Sequence, residues 1–123
     1  MNMVWDASIY TGKKPSPEEN KIYLAETLKQ RNLIETDWAL ANFNISDKHN
    51  GYTMGSGGIK NIRCPVAFTC AELDVVIPPA TSRENAAAIS GSKLFEYEKC
   101  GHSPLVDCPD RLATDILTHA GIC

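Results

Sequence analysis

Two short apolar runs, each ending in a polar loop with a titratable side chain, constrain the fold more than any other feature. The first, Val66-Ala67-Phe68-Thr69-Cys70, follows Pro65 and runs into Glu72-Leu73-Asp74 and then Pro78-Pro79. The second, Lys93-Leu94-Phe95-Glu96-Tyr97, runs into Cys100-Gly101-His102-Ser103-Pro104. Short apolar runs bounded by such breakers read as strands. Between them the spacing predicts a helix over about residues 80–90, opened by Pro78-Pro79 and ended by Gly91 as its C-terminal cap. Two strands joined through one helix run parallel, and both following loops leave from the same sheet edge. Asp74 and His102 are therefore expected to face each other at that edge, where open α/β sheets carry their chemistry.

A final helix follows, with Pro109 near its first position and Leu112, Ala113, Ile116, Leu117 and Ala120 at helical spacing before Gly121. Upstream, Ser16-Pro17-Glu18-Glu19 has the form of a capping box with proline at the first helical position. That helix should reach about Arg31, with Ile22, Leu24, Ala25 and Leu28 as its apolar face. A shorter helix over residues 35–43 should bury Trp38, Leu40 and Phe43. Residues 3–10 read as a strand, and residues 44–58, with Asn50-Gly51 as a turn signal, as a loop or hinge. Cys64 and Cys70, at the two ends of the first strand, read as core residues. Glu96 and Glu98 alternate with Phe95 and Tyr97, which gives the second strand one exposed face or edge. Residues 1–57 thus form a helical segment and linker and residues 58–123 a β-α-β-α unit, expected together as one domain of α/β class.

The second half resembles the C-terminal part of an α/β-hydrolase. The resemblance rests on Cys64-Pro65-Val66 leading to Asp74, Pro78-Pro79, a helix, a strand, Gly101-His102-Ser103-Pro104, Asp107-Cys108-Pro109 and a closing helix. It covers about residues 58–120. It implies a partial hydrolase-like fold, a small and mostly parallel sheet flanked by helices. It also implies Asp74 as the triad acid and His102 as the base that takes a proton from serine. Ala71 stands where the family usually has glycine three residues before the acid, which leaves Glu72 as a rival for that role. The two upstream helices would be remnants of a lid, or simply cover the sheet.

The larger departure concerns the nucleophile. The family carries its serine on a G-x-S-x-G strand-to-helix elbow, and no such motif occurs in the sequence. The nearest stretch, Met54-Gly55-Ser56-Gly57-Gly58, keeps the chain order but begins with methionine. Ser56 is thus only a weak nucleophile candidate, and the Gly-rich run reads more naturally as a connector. Three readings follow: a hydrolase-like protein not catalytic by itself, one subunit of a split hydrolase whose triad a partner completes, or a small esterase using Ser56 or a cysteine. Too narrow a sheet is marginal alone, so a homodimer or a second chain is expected to supply the missing half. A small-molecule ligand is a further expectation.

Composition narrows the classes. A chain of 123 residues with 43% hydrophobic and 22% charged residues is an ordinary globular composition. Net charge of −3 offers no basic patch for nucleic acid. No run approaches the roughly 18 apolar residues of a membrane span, and the first residues lack the regions of a signal peptide. Five cysteines, without framework spacing, point to reduced thiols in a cytoplasmic protein. Cys100, His102 and Cys108 match no strong zinc signature, so neither metal nor cofactor is expected.

Overall fold

The computed structural model describes residues 2–122. In chain order it contains α1 (Asn2–Ser8), α2 (Pro17–Thr27), α3 (Leu33–Asn42), a 3-10 turn (Gly58–Asn61), β1 (Ala67–Ala71), α4 (Pro79–Ala88), β2 (Lys93–Tyr97), α5 (Pro104–Asp107) and α6 (Pro109–Ala120). It is a small mixed α/β protein in which helices flank a two-stranded parallel sheet. Of the described residues, those up to Ser16 and from Pro65 onward make one compact unit, and Pro17–Cys64 make a second. Residues up to 16 thus go with the strands, whereas residues 58–64 go with the upstream helices.

The first unit is built on β1 and β2, paired from Ala67 opposite Lys93 to Ala71 opposite Tyr97. Strand alternation sends Cys70 and Glu96 to one face and Ala71 and Tyr97 to the other. On the first face the buried Cys70 thiol meets the Pro79 carbonyl, and Arg83 of α4 binds Glu96 at 2.7 Å. On the second, Ala71, Tyr97 and Cys100 form the core, with Phe95, Cys108 and Leu112 packed against it. Here the Tyr97 hydroxyl donates to Asp115 at 2.9 Å, and the Arg111 guanidinium lies over the Tyr97 ring. α6 has Pro109 in its first turn, and Gly121, at φ 70°, caps its end in the left-handed region.

Several expectations are corrected. Residues 3–10 form mostly helix rather than strand: Ser8 Oγ donates to the Val4 carbonyl, and Ile9 and Tyr10 donate to Trp5. The β-prone Val4, Trp5 and Ile9 do not alternate with polar residues, so no half-buried strand face is formed. Helix α2 stops at Thr27 instead of about Arg31, and its last turns tighten through Lys29-to-Glu26 and Gln30-to-Thr27 backbone bonds. Neither α2 nor α3 contains a buried residue, and Trp38, Leu40 and Phe43 are 68%, 74% and 73% exposed. The helical spacing of their apolar residues is present, but no sheet lies within this unit to cover it. Cys64 is exposed because β1 begins beyond Pro65, while Cys70 is buried as expected. Helix α4 ends at Ala88, with Gly91 at φ 78° in the turn that leads to β2. Residues 44–57 form a loop, as expected, tied by its own hydrogen bonds, and Gly58 opens the 3-10 turn. Asn44 Nδ2 donates to the Lys48 and Thr53 carbonyls, and His49 bridges Met54.

Candidate functional site

Beyond the last paired residues of the sheet, the chain keeps making ladder-like bonds. Glu72 N–H donates to the Tyr97 carbonyl at 2.9 Å and Leu73 N–H to the Cys100 carbonyl at 2.8 Å. Two strand residues on one side are thus matched against four on the other. The surplus is taken up by Lys99, a non-glycine residue at φ 54°. Glu72 supports that turn, its carboxylate accepting the Lys99 N–H at 2.8 Å. This continuation carries Asp74 up beside Gly101-His102.

There His102 Nδ1 lies 3.1 and 3.0 Å from the two Asp74 carboxylate oxygens. A carboxylate only accepts, so the bond assigns the ring proton to Nδ1 and leaves the Nε2 lone pair available. Asp74 is oriented by its own loop, its Oδ1 accepting the Val76 and Ile77 N–H groups at 2.9 and 2.8 Å. Its side chain is 11% exposed, whereas that of His102 is 32% exposed. The acid is held and shielded, and the imidazole is reachable. Glu72, the rival acid, is engaged on Lys99, and the contact to His102 belongs to Asp74.

Three residues that sequence reasoning gave no role in the site hold these loops together. The Asp107 carboxylate accepts the Gly101 N–H and the Lys13 N–H, both at 2.5 Å. Thr11 Oγ1 donates to the Leu73 carbonyl at 2.7 Å, so residues 10–13 form a strap across both loops. The fit is close: a Cβ on Gly101 would run into Thr11 and the Gly12 backbone, and one on Gly12 into Asp107. Asp107 was visible in the sequence only as part of the Asp107-Cys108-Pro109 pattern. The strap had no local signal, because its partners are distant in the chain.

Ser56 belongs to the other compact unit. Its Oγ accepts the Gly58 N–H and donates to the Asn44 carbonyl at 3.2 Å, in a loop that no strand enters. The His102 Nδ1 contact is to the Asp74 carboxylate, and the Ser56 hydroxyl is engaged within its own loop. Cys100, His102 and Cys108 do not converge, since the ring faces Asp74 while the two Sγ atoms face each other at 3.7 Å. An apolar groove of about 470 Å³ on the α6 side of the sheet is lined by Val66, Ala67, Thr69, Phe95, Leu112 and Ile116. Neither Asp74 nor His102 lines it. No helix among the described residues is long and apolar enough to cross a membrane.

The chain was compared with family models and with curated proteins, and neither comparison gave a match.

Proposed function

We propose that this chain carries the acid–base half of an α/β-hydrolase-like site and is not catalytic by itself. The observation that supports the reading is the Asp74 carboxylate on His102 Nδ1, at 3.0 Å, beside the end of a parallel strand pair. In a complete triad that carboxylate holds the tautomer, and Nε2 takes the proton of the attacking hydroxyl. A base without a nucleophile and oxyanion-hole donors lacks most transition-state stabilisation. The expected result is that the wild-type chain hydrolyses p-nitrophenyl acetate no faster than His102→Ala does. Turnover by the wild type that is lost in both His102→Ala and Ser56→Ala would overturn the proposal in favour of a small esterase.

A second reading is favoured by the sheet. Among the described residues, strand β1 is paired on one side only, and Ala67-Phe68-Thr69-Cys70-Ala71 contains no charge or proline. Edge strands are ordinarily blunted by such residues. A second copy of this chain, or a partner that brings the serine, would pair along that edge and complete the site as a split hydrolase.

A further inference from the structure

The two cysteines that flank His102 in the sequence have no place in the acid–base reading. Cys100 is fully buried in the core, and Cys108 is half-buried at the junction of α5 and α6. Their Sγ atoms lie 3.7 Å apart, with Cys108 donating to Cys100 and Cys100 to the Gly101 carbonyl at 3.6 Å. They sit on either side of the segment that contains His102 and Asp107. We propose that Cys100 and Cys108 form a dithiol–disulfide couple, oxidised by hydroperoxides, whose state is transmitted to the His102 loop. The proposal stands on the thiol geometry and does not depend on hydrolase chemistry.

The chemistry balances with the peroxide as the only co-reactant. Cys108, the more accessible thiol, attacks one peroxide oxygen as its thiolate. The O–O bond breaks, and Cys108 becomes a sulfenic acid. The other oxygen takes a proton and leaves as water from hydrogen peroxide or as the alcohol from an organic hydroperoxide. Cys100 sulfur then attacks the Cys108 sulfur, the S–O bond breaks, and the hydroxyl leaves with the Cys100 proton as water. Two thiols lose two electrons and the peroxide gains them. The order follows from the environment, because burial and the adjacent Cys108 thiol push the Cys100 thiol up and a buried thiol is a poor first nucleophile. A disulfide requires the sulfurs to close to about 2.05 Å. Cys108 can supply that movement because it lies between two helices, at φ −147° and ψ 57°, rather than inside one. The movement would displace the neighbouring Asp107, whose carboxylate pins Gly101 and Lys13.

The test treats the full chain with one equivalent of hydrogen peroxide at neutral pH and blocks remaining thiols with N-ethylmaleimide under native conditions. After denaturation, a second, isotopically distinct maleimide labels any thiol that burial had protected. Trypsin should then release Cys100–Arg111, which contains both cysteines, because Lys99 precedes it and Arg111 ends it. The expected peptide carries neither label and is lighter than the dithiol by two hydrogens. Dithiothreitol should restore labelling at both positions, and Cys108→Ser should eliminate the lighter species. The His102 ring resonances should shift between the reduced and oxidised forms. Both cysteines labelled after peroxide, or oxidation confined to the exposed Cys64, would overturn the couple. A disulfide that leaves the His102 resonances unmoved would overturn its transmission to the loop.

Discussion

Asp107 shows how much of a loop's geometry rests on one side chain. Its carboxylate accepts backbone N–H groups from Gly101 and Lys13, residues that share no secondary-structure element. Hydrogen bonds to charged groups contribute about 1.5–3 kcal/mol each, and removing the acceptor leaves its donors unsatisfied. Asp107→Ala should therefore lower the urea unfolding free energy by about 2–4 kcal/mol, and Asp107→Asn, which keeps one carbonyl acceptor, by less. Both variants should also disturb His102, which a histidine ring NMR spectrum would register. Equal and negligible losses for the two would contradict the assigned role. The Thr11 contact to Leu73 and the Asp107 contact to Lys13 could not be read locally, because each joins backbone far apart in sequence. Asp74 and His102 were legible because they follow strands whose parallel pairing is dictated by the connecting helix.

At the level of elements, local punctuation was readable and burial was not. Pro109, Gly121 and the helical spacing between them gave α6, and the runs after Pro65 and Gly91 gave β1 and β2. The capping box placed the start of α2, but the Ile22 and Leu28 face is exposed, at 59% and 75%. Periodicity states which face is apolar, and only the arrangement of neighbouring elements decides whether anything covers it. The seam between β2 and α6 makes a pH-dependent prediction. Burial first, and then the hydrogen bond to Asp115, raise the Tyr97 phenol above its ordinary value near 10. The native state therefore holds this proton more tightly than the unfolded chain does. Its contribution is complete below pH of about 10 and is lost as the pH rises beyond that. Thermal unfolding followed from pH 8 to pH 11 should show a falling Tm in the wild type and a shallower fall in Tyr97→Phe. Parallel slopes for the two proteins would count against a buried, protonated Tyr97.

For the whole molecule, the outer edge of β1 and the groove beside α6 expose surface that a wider sheet would cover. Exposed edges and grooves of this kind are what a second chain can pair with. Light scattering coupled to size exclusion should show a species heavier than the 13.5 kDa chain at micromolar concentrations. A well-folded monomer throughout that range would rule out an obligate dimer. The strap of residues 10–13 carries one more consequence. Lys13 and its acceptor on Asp107 are 94 positions apart, and Thr11 and Leu73 are 62 apart. Contacts of such long range close late, after the entropy of a large chain loop has been overcome. Thr11 and Lys13 must therefore wait for chain made long after them, and the histidine loop is fastened only once Leu73 and Asp107 have both arrived.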